Sequence, residues 1–178
     1  CIICLFVMNI LKSISSFFDL INKITGSICA FFAASMVLVV LGVVVLRYGF
    51  SISFIWMQEA YVWLHAYIFM MGSGYTYLSN EHVRIDVFYR GASVKYKSIV
   101  DILGNLFFLI PFIFVIWKFS FPFIARSWSM NEVSREVGGL PALYILKSAI
   151  LIFCILLFIQ ALSNIIKSII NLTSKESS

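Results

Sequence analysis

The side chains able to do chemistry are few and widely separated. The chain has two histidines, His65 and His82, and four cysteines, Cys1, Cys4, Cys29 and Cys154. Cys1 and Cys4 form a C-x-x-C, the spacing of a redox pair, but no loop offers a second cysteine pair to exchange with it. Met8 offers an alternative start, which would make residues 1–7 an upstream extension. Cys29 and Cys154 stand in apolar runs and read as small buried hydrophobes. A haem needs axial ligands at matching depth, whereas His65 falls in an apolar stretch and His82 in a polar one. No His, Cys, Asp and Glu residues cluster with metal-ligand spacing. The chain is therefore expected to carry no cofactor of its own and not to be an enzyme. His65 is expected to hydrogen-bond a neighbouring helix, and Glu59 and Asp101 to serve at the ends of their helices.

The elements around these residues are membrane elements. Apolar residues make up 62% of the chain and charged residues 12%, against about 25% charged in a soluble domain. Lipid is the solvent that fits. No Lys/Arg cluster is interleaved with stacking aromatics, so no nucleic-acid surface is expected. The predicted fold is all-α: a single domain of four transmembrane helices preceded by an amphipathic N-terminal helix, with both termini cytoplasmic. In the arm, about residues 7–24, Val7, Ile10, Leu11, Ile14, Phe17, Phe18, Ile21 and Ile24 recur at helical spacing, with Lys12, Ser16, Asp19 and Lys23 on the other face. Such a helix is expected to lie flat in the interface. Spans are predicted at about 27–46, 59–78, 99–124 and 142–166, with a polar tail at 171–178. Each reaches the roughly 20 residues that a crossing needs. Pro111 should kink the third span, and Pro141 suits the first helical position of the fourth. Gly72, Ser73 and Gly74 should allow close helix packing.

Orientation follows from Lys and Arg. Lys12, Lys23, Arg84, Arg90, Lys95, Lys97, Lys167 and Lys175 would face one side, and Arg47, Lys118, Arg126, Arg135 and Lys147 the other. The larger set marks the cytoplasmic side. The spans offer few polar groups near mid-depth and no related halves, which argues against transport by this chain alone. An oxidoreductase of the four-helix quinone-linked kind would need cysteine pairs in a periplasmic loop. A small stand-alone exporter would need a carboxylate deep in the first span. The sequence has neither.

The end-facing motifs are sharper than the spans. Trp56-Met57-Gln58-Glu59 enters the second span, and Glu81-His82-Val83-Arg84-Ile85-Asp86 follows it. Asn131-Glu132-Val133-Ser134 and Gly138-Gly139-Leu140-Pro141 precede the fourth, and Gln160-Ala161-Leu162 comes late in it. In this order, from about Asn9 to Ile170, they resemble the small, Q-type membrane subunit of tripartite ATP-independent periplasmic (TRAP) transporters. The resemblance implies a separate, unfused scaffold subunit in a bacterial inner membrane. Its partners would be a large membrane subunit, which holds the transport and sodium sites, and a periplasmic binding protein that captures an organic acid. It also marks Trp56, Glu59, His82, Arg84, Asp86, Glu132, Ser134 and Gln160 as family-motif and docking residues. Trp56 would anchor the outer interface, Glu59 would sit on the helix dipole, and Arg84 would bridge a carboxylate and lipid phosphate, with Asp86 beside it.

Overall fold

A computed structural model describes residues 2–79, 91 and 93–175. Every element in it is helical: α1 (Ile2–Phe50), α2 (Ile55–Leu78), α3 (Val94–Gly104), a π-helical turn (Asn105–Leu109), α4 (Ile110–Ser129) and α5 (Leu143–Lys175). Phe6–Phe50, Val94–Ser129 and Leu143–Thr173 are each long and apolar enough to cross a membrane. α2 has 24 residues, or about 36 Å at 1.5 Å per residue. It is less apolar than the other three, for it carries Gln58, Glu59 and His65.

The arm and the first span are one uninterrupted helix of 49 residues, about 73 Å long. The arm does not part from the span near residue 25, although Thr25-Gly26-Ser27 stands there: no proline interrupts the i→i−4 ladder, and the Thr25 and Ser27 hydroxyls donate one turn back to the Ile21 and Lys23 carbonyls at 2.9 and 3.3 Å. The helix ends where Ser51 turns left-handed (φ 57) and the Ile52 N–H returns to the Leu46 carbonyl at 3.0 Å. The stretch from α3 to α4 is also continuous in space, but it changes pitch just before Pro111. The π-helical turn absorbs the hydrogen bond that proline cannot donate. Asn105 opens that turn, 3% exposed, with Nδ2 donating to the Asp101 carbonyl at 2.7 Å and Oδ1 accepting from the Tyr77 hydroxyl at 2.7 Å. α5 begins two residues later than expected. Pro141 lies outside the helix and Ala142 turns left-handed (φ 72). The same helix runs on to Lys175, past the expected end near 166.

The helices form a slab with α5 at its centre. α5 packs against α1, α2, α3 and α4, and α1 packs on α2, while among the described residues α1 and α2 make no backbone approach to α3 or α4. In its most apolar window α5 has 39% of residues buried, against 6% for α1 and 11% for the α3–α4 crossing. The interior is small and polar. Its largest fully buried side chains are Gln160, Asn22, Cys154, Ser127 and Ser163. Large apolar side chains such as Phe31, Leu38, Phe108 and Phe119 point outward. This distribution is what lipid favours: acyl tails accept Phe and Leu, and helices meet through small and hydrogen-bonding residues. Close approach is concentrated on α2. Gly74 is buried, and a Cβ there would run into Asn22 Oδ1 and lie 3.2 Å from Leu156 Cβ. Gly26 of α1 receives the Tyr75 ring in the same way. Of the small residues of α2, Gly74 thus permits tight packing, whereas a Cβ on Gly72 would meet Cys29 Sγ at an ordinary 3.9 Å.

Candidate functional site

The described motif residues gather at two places along α5, its start and its middle. At one end is Glu59, in the second turn of α2. Its carboxylate accepts hydrogen bonds from the Ser134 hydroxyl and from the Leu140 N–H at 2.5 Å. The chain between them folds around it. Ser134 Oγ accepts from the Glu136 N–H at 3.2 Å, the Gly139 N–H donates to the Glu136 carbonyl at 3.0 Å, and Gly138 takes a left-handed φ of 81. A Cβ on Gly139 would fall 2.5 Å from Ser134 Oγ and 2.7 Å from Glu59 Oε2. Only glycine lets the backbone approach the carboxylate so closely. Charge-assisted bonds of this kind are short and strong, so Glu59 clasps the α4–α5 connection to the start of α2.

Glu132 closes the same connection from inside. Its carboxylate accepts from Lys147 Nζ at 2.5 Å and from Ser127 Oγ at 2.6 Å. Its N–H donates to the Ser127 carbonyl at 3.1 Å, and its carbonyl caps α5 by accepting from the Leu143 N–H at 2.8 Å. The Lys147 ammonium also lies 4.1 Å from the Phe123 ring centre. The hydrogen bond from Lys147, followed by that from Ser127, holds the Glu132 carboxyl below the usual glutamate range. Trp56 stands exposed beside Phe54, ring centres 6.2 Å apart, an amphipathic ring at the helix end.

Gln160 belongs to a second network, midway along α5. Its Oε1 accepts from Asn22 Nδ2 at 2.9 Å, and its Nε2 donates to Asp19 Oδ1 and to Asn164 Oδ1, each at 3.3 Å. Ser163 Oγ donates to Asp19 Oδ1 at 2.7 Å and lies 3.0 Å from Ser15 Oγ. Lys167 pairs with Asp19 at 2.5 Å. Here the expectation for the arm is corrected. The side of α1 carrying Ser15, Asp19 and Asn22 meets α5 instead of water, and Val7, Ile10, Phe17 and Ile24 are exposed. The signal was available in the spacing: Ser15, Asp19 and Asn22 on one helix match Gln160, Ser163 and Lys167 on another at steps of three and four. Asn22 Oδ1 has no hydrogen-bond partner among the described residues. It rests on the Gly74 backbone, where a Cα–H is the nearest weak donor.

His82, Arg84 and Asp86 lie outside the described residues. Among the described residues, no three His, Cys, Asp or Glu side chains converge as a metal site would require. His65 does not turn inward to a neighbouring helix. It is exposed, and nothing among the described residues bonds to it.

These features define a multi-pass helical membrane protein whose motif residues bind helix ends and connections to one another. Residues 36–171 match the family "Tripartite ATP-independent periplasmic transporters, DctQ component", and the chain belongs to that family. It is also 27% identical, over 121 residues, to the "C4-dicarboxylate TRAP transporter small permease protein DctQ" of Vibrio cholerae serotype O1. That match covers 64% of this chain and 52% of the relative, so the chain spans about half the length of the curated relative it matches. No solved structure matches. The family is a transporter component and not an enzyme, and its members are multi-pass proteins of the bacterial inner membrane.

Proposed function

We propose that this chain is the scaffold subunit of a TRAP-type secondary transporter. It crosses the membrane four times with both termini in the cytoplasm and supports a large membrane subunit. That partner, with a periplasmic binding protein, takes up an organic acid using a sodium gradient; the sodium sites belong to the partner. The family match over residues 36–171 carries this reading. The polar interior supports it, because Gln160, Asn22, Ser163 and Asp19 bond chiefly to one another, and the acceptor left over, Asn22 Oδ1, is covered by Gly74. The orientation rests on Lys12, Lys23, Lys95, Lys97 and Lys167 at one set of helix ends.

The test combines topology with reconstitution. Single cysteines at Ser93 and Ser134 are probed with an impermeant thiol reagent in intact cells, where labelling is expected at Ser134 and not at Ser93. Liposomes containing this chain alone should show no sodium-driven uptake. Liposomes that also contain the large subunit and the binding protein should take up the acid. Uptake by the chain alone, or inverted labelling, refutes the proposal.

A further inference from the structure

His65 lies 10 residues from Ile55 and 13 from Leu78, at the two ends of α2, or about 15 and 20 Å along the axis. α1 gives a second measure of depth. Gly26 meets Tyr75, Cys29 meets Gly72 and Gly42 meets Met57, an antiparallel register that sets His65 level with about Ser35. Ser35 is 12 residues from Lys23 and 12 from Arg47, the charges that bracket the first span. On the four-span reading, His65 is therefore close to the bilayer midplane. An imidazole always carries at least one N–H donor, and on a single methylene it is too short to climb to the interface as Lys118 can from α4. Lipid tails offer it no hydrogen bond, and this chain supplies none among the described residues. Exposed polar groups at such depth face a protein interior or another helix.

The surface around His65 has a matching shape. Val62 and Phe69, one helical turn to either side, are 51% and 70% exposed. One turn beyond Phe69 the face drops into a cleft of about 760 Å³, floored by Gly72 and Thr76 and walled by Cys29 of α1 and Leu109 and Phe153 beyond α2. The volume lies within the range of built pockets, about 300–1,000 Å³. The exposed middles of α1 and of the continuous α3–α4 stretch present Val37, Leu38, Leu41, Phe108 and Phe112, which lipid satisfies fully.

We propose that the Val62–His65–Phe69 face of α2 and the cleft beside it receive a transmembrane helix of the large subunit, which offers His65 a hydrogen-bonding group at mid-depth. This rests on the scaffold reading and adds to it the docking face and the chemistry of the contact. A soluble partner cannot reach this depth, and an acyl chain would leave the imidazole unpaired.

The experiment uses the full chain co-expressed with the large subunit. A benzophenone amino acid is placed at Val62 or Phe69, and at Phe108 of the π-helical turn or Phe119 of α4 as controls. Illumination should join the first pair, and not the controls, to the large subunit. In parallel, His65→Leu should weaken retention of the large subunit roughly 3- to 30-fold, the span of one interhelical hydrogen bond, and His65→Asn should restore most of it. Adducts only from the control positions, adducts only with a second copy of this chain or with lipid, or His65→Leu retention equal to wild type would each overturn the docking face while the subunits still co-purify. Failure of the wild-type chains to co-purify would sink the scaffold reading itself, and the docking face with it.

Discussion

The bond between Asn22 and Gln160 gives a measurable test of how the slab holds together. Both side chains are 0% exposed, and the 2.9 Å contact from Asn22 Nδ2 to Gln160 Oε1 is the best-formed of the Asn22 amide bonds. The other two run to backbone carbonyls at 3.5 Å. One interhelical hydrogen bond in a membrane protein is worth about 0.6–2 kcal/mol. Gln160→Ala also leaves the Asn22 amide poorly paired in a site closed to water and lipid, which adds about 1–3 kcal/mol. The expected loss is about 2–4 kcal/mol, or roughly 30- to 1,000-fold in the folding equilibrium. Asn22→Ala should cost a similar amount, but the double variant less than the sum, with a coupling of about 1–2 kcal/mol. Reversible unfolding in mixed micelles, followed by tryptophan fluorescence, reads these values. A coupling below about 0.3 kcal/mol, the ordinary scatter for independent sites, would refute the reasoning. It would mean that α1 is held on α5 by shape alone.

Two further outcomes use the same preparation. Gly74→Ala should destabilise by about 1–3 kcal/mol, because its methyl meets Asn22 Oδ1 and Leu156. Gly104→Ala, with nothing within 4 Å of the added carbon, should be neutral or stabilise by up to about 1 kcal/mol, and the same sign for both would show that the contact at Gly74 does not govern its effect. Glu132 has a carboxyl pKa lowered in the folded state, so its bonds to Lys147 and Ser127 contribute throughout the range above the ordinary glutamate value and are lost as pH falls through the depressed one. Protection of the Leu143 amide in hydrogen exchange, corrected for intrinsic rate, should hold from neutral pH down to that region and then collapse, while Glu132→Gln should lack the acid transition; a collapse near pH 7, or the same profile in the variant, would contradict this.

What could be read from the residues was the solvent and the periodicity. The apolar stretches at 27–46 and 99–124, and all but the first residue of 142–166, fall within helices long enough to cross, since twenty apolar residues in a row admit few alternatives. Motif residues far apart in sequence, Glu59 and Ser134, prove to be bonded partners. The failures were of direction. Hydrophobic periodicity places an apolar stripe but does not say whether it faces a core or lipid. In water the polar side of the arm, with Asp19, would face out. Against α5 the same side becomes the contact, because Ser163 and Lys167 outbid solvent for Asp19. Pro111 announced a disturbance in the third crossing, yet only the fold shows that a π-helical turn absorbs it and turns Asn105 inward toward Tyr77. Gly138 and Gly139 signalled a turn, but that the turn encloses a carboxylate depended on α2, some eighty residues earlier in the chain.

The slab also explains why a protein with so many apolar residues buries so few of them. A closed bundle shows one face of every helix to the interior. Here α5 alone is surrounded, and α1 and the α3–α4 crossing each give one narrow side to the rest. The polar groups lie at the seams with α5, and they bond across the seams in fixed pairs: Glu59 with Leu140, Glu132 with Lys147, Asp19 with Lys167, Asn22 with Gln160. A carrier that alternates access needs an interior with two arrangements of comparable energy. Seams closed by charge-assisted bonds and by a glycine pressed against an asparagine resist a second arrangement, since sliding either helix by one turn would break several bonds together. Rigidity of this kind suits a subunit that holds a moving partner in place. It also directs the search for that partner to the outward faces, where His65 on α2 has no hydrogen-bond partner among the described residues.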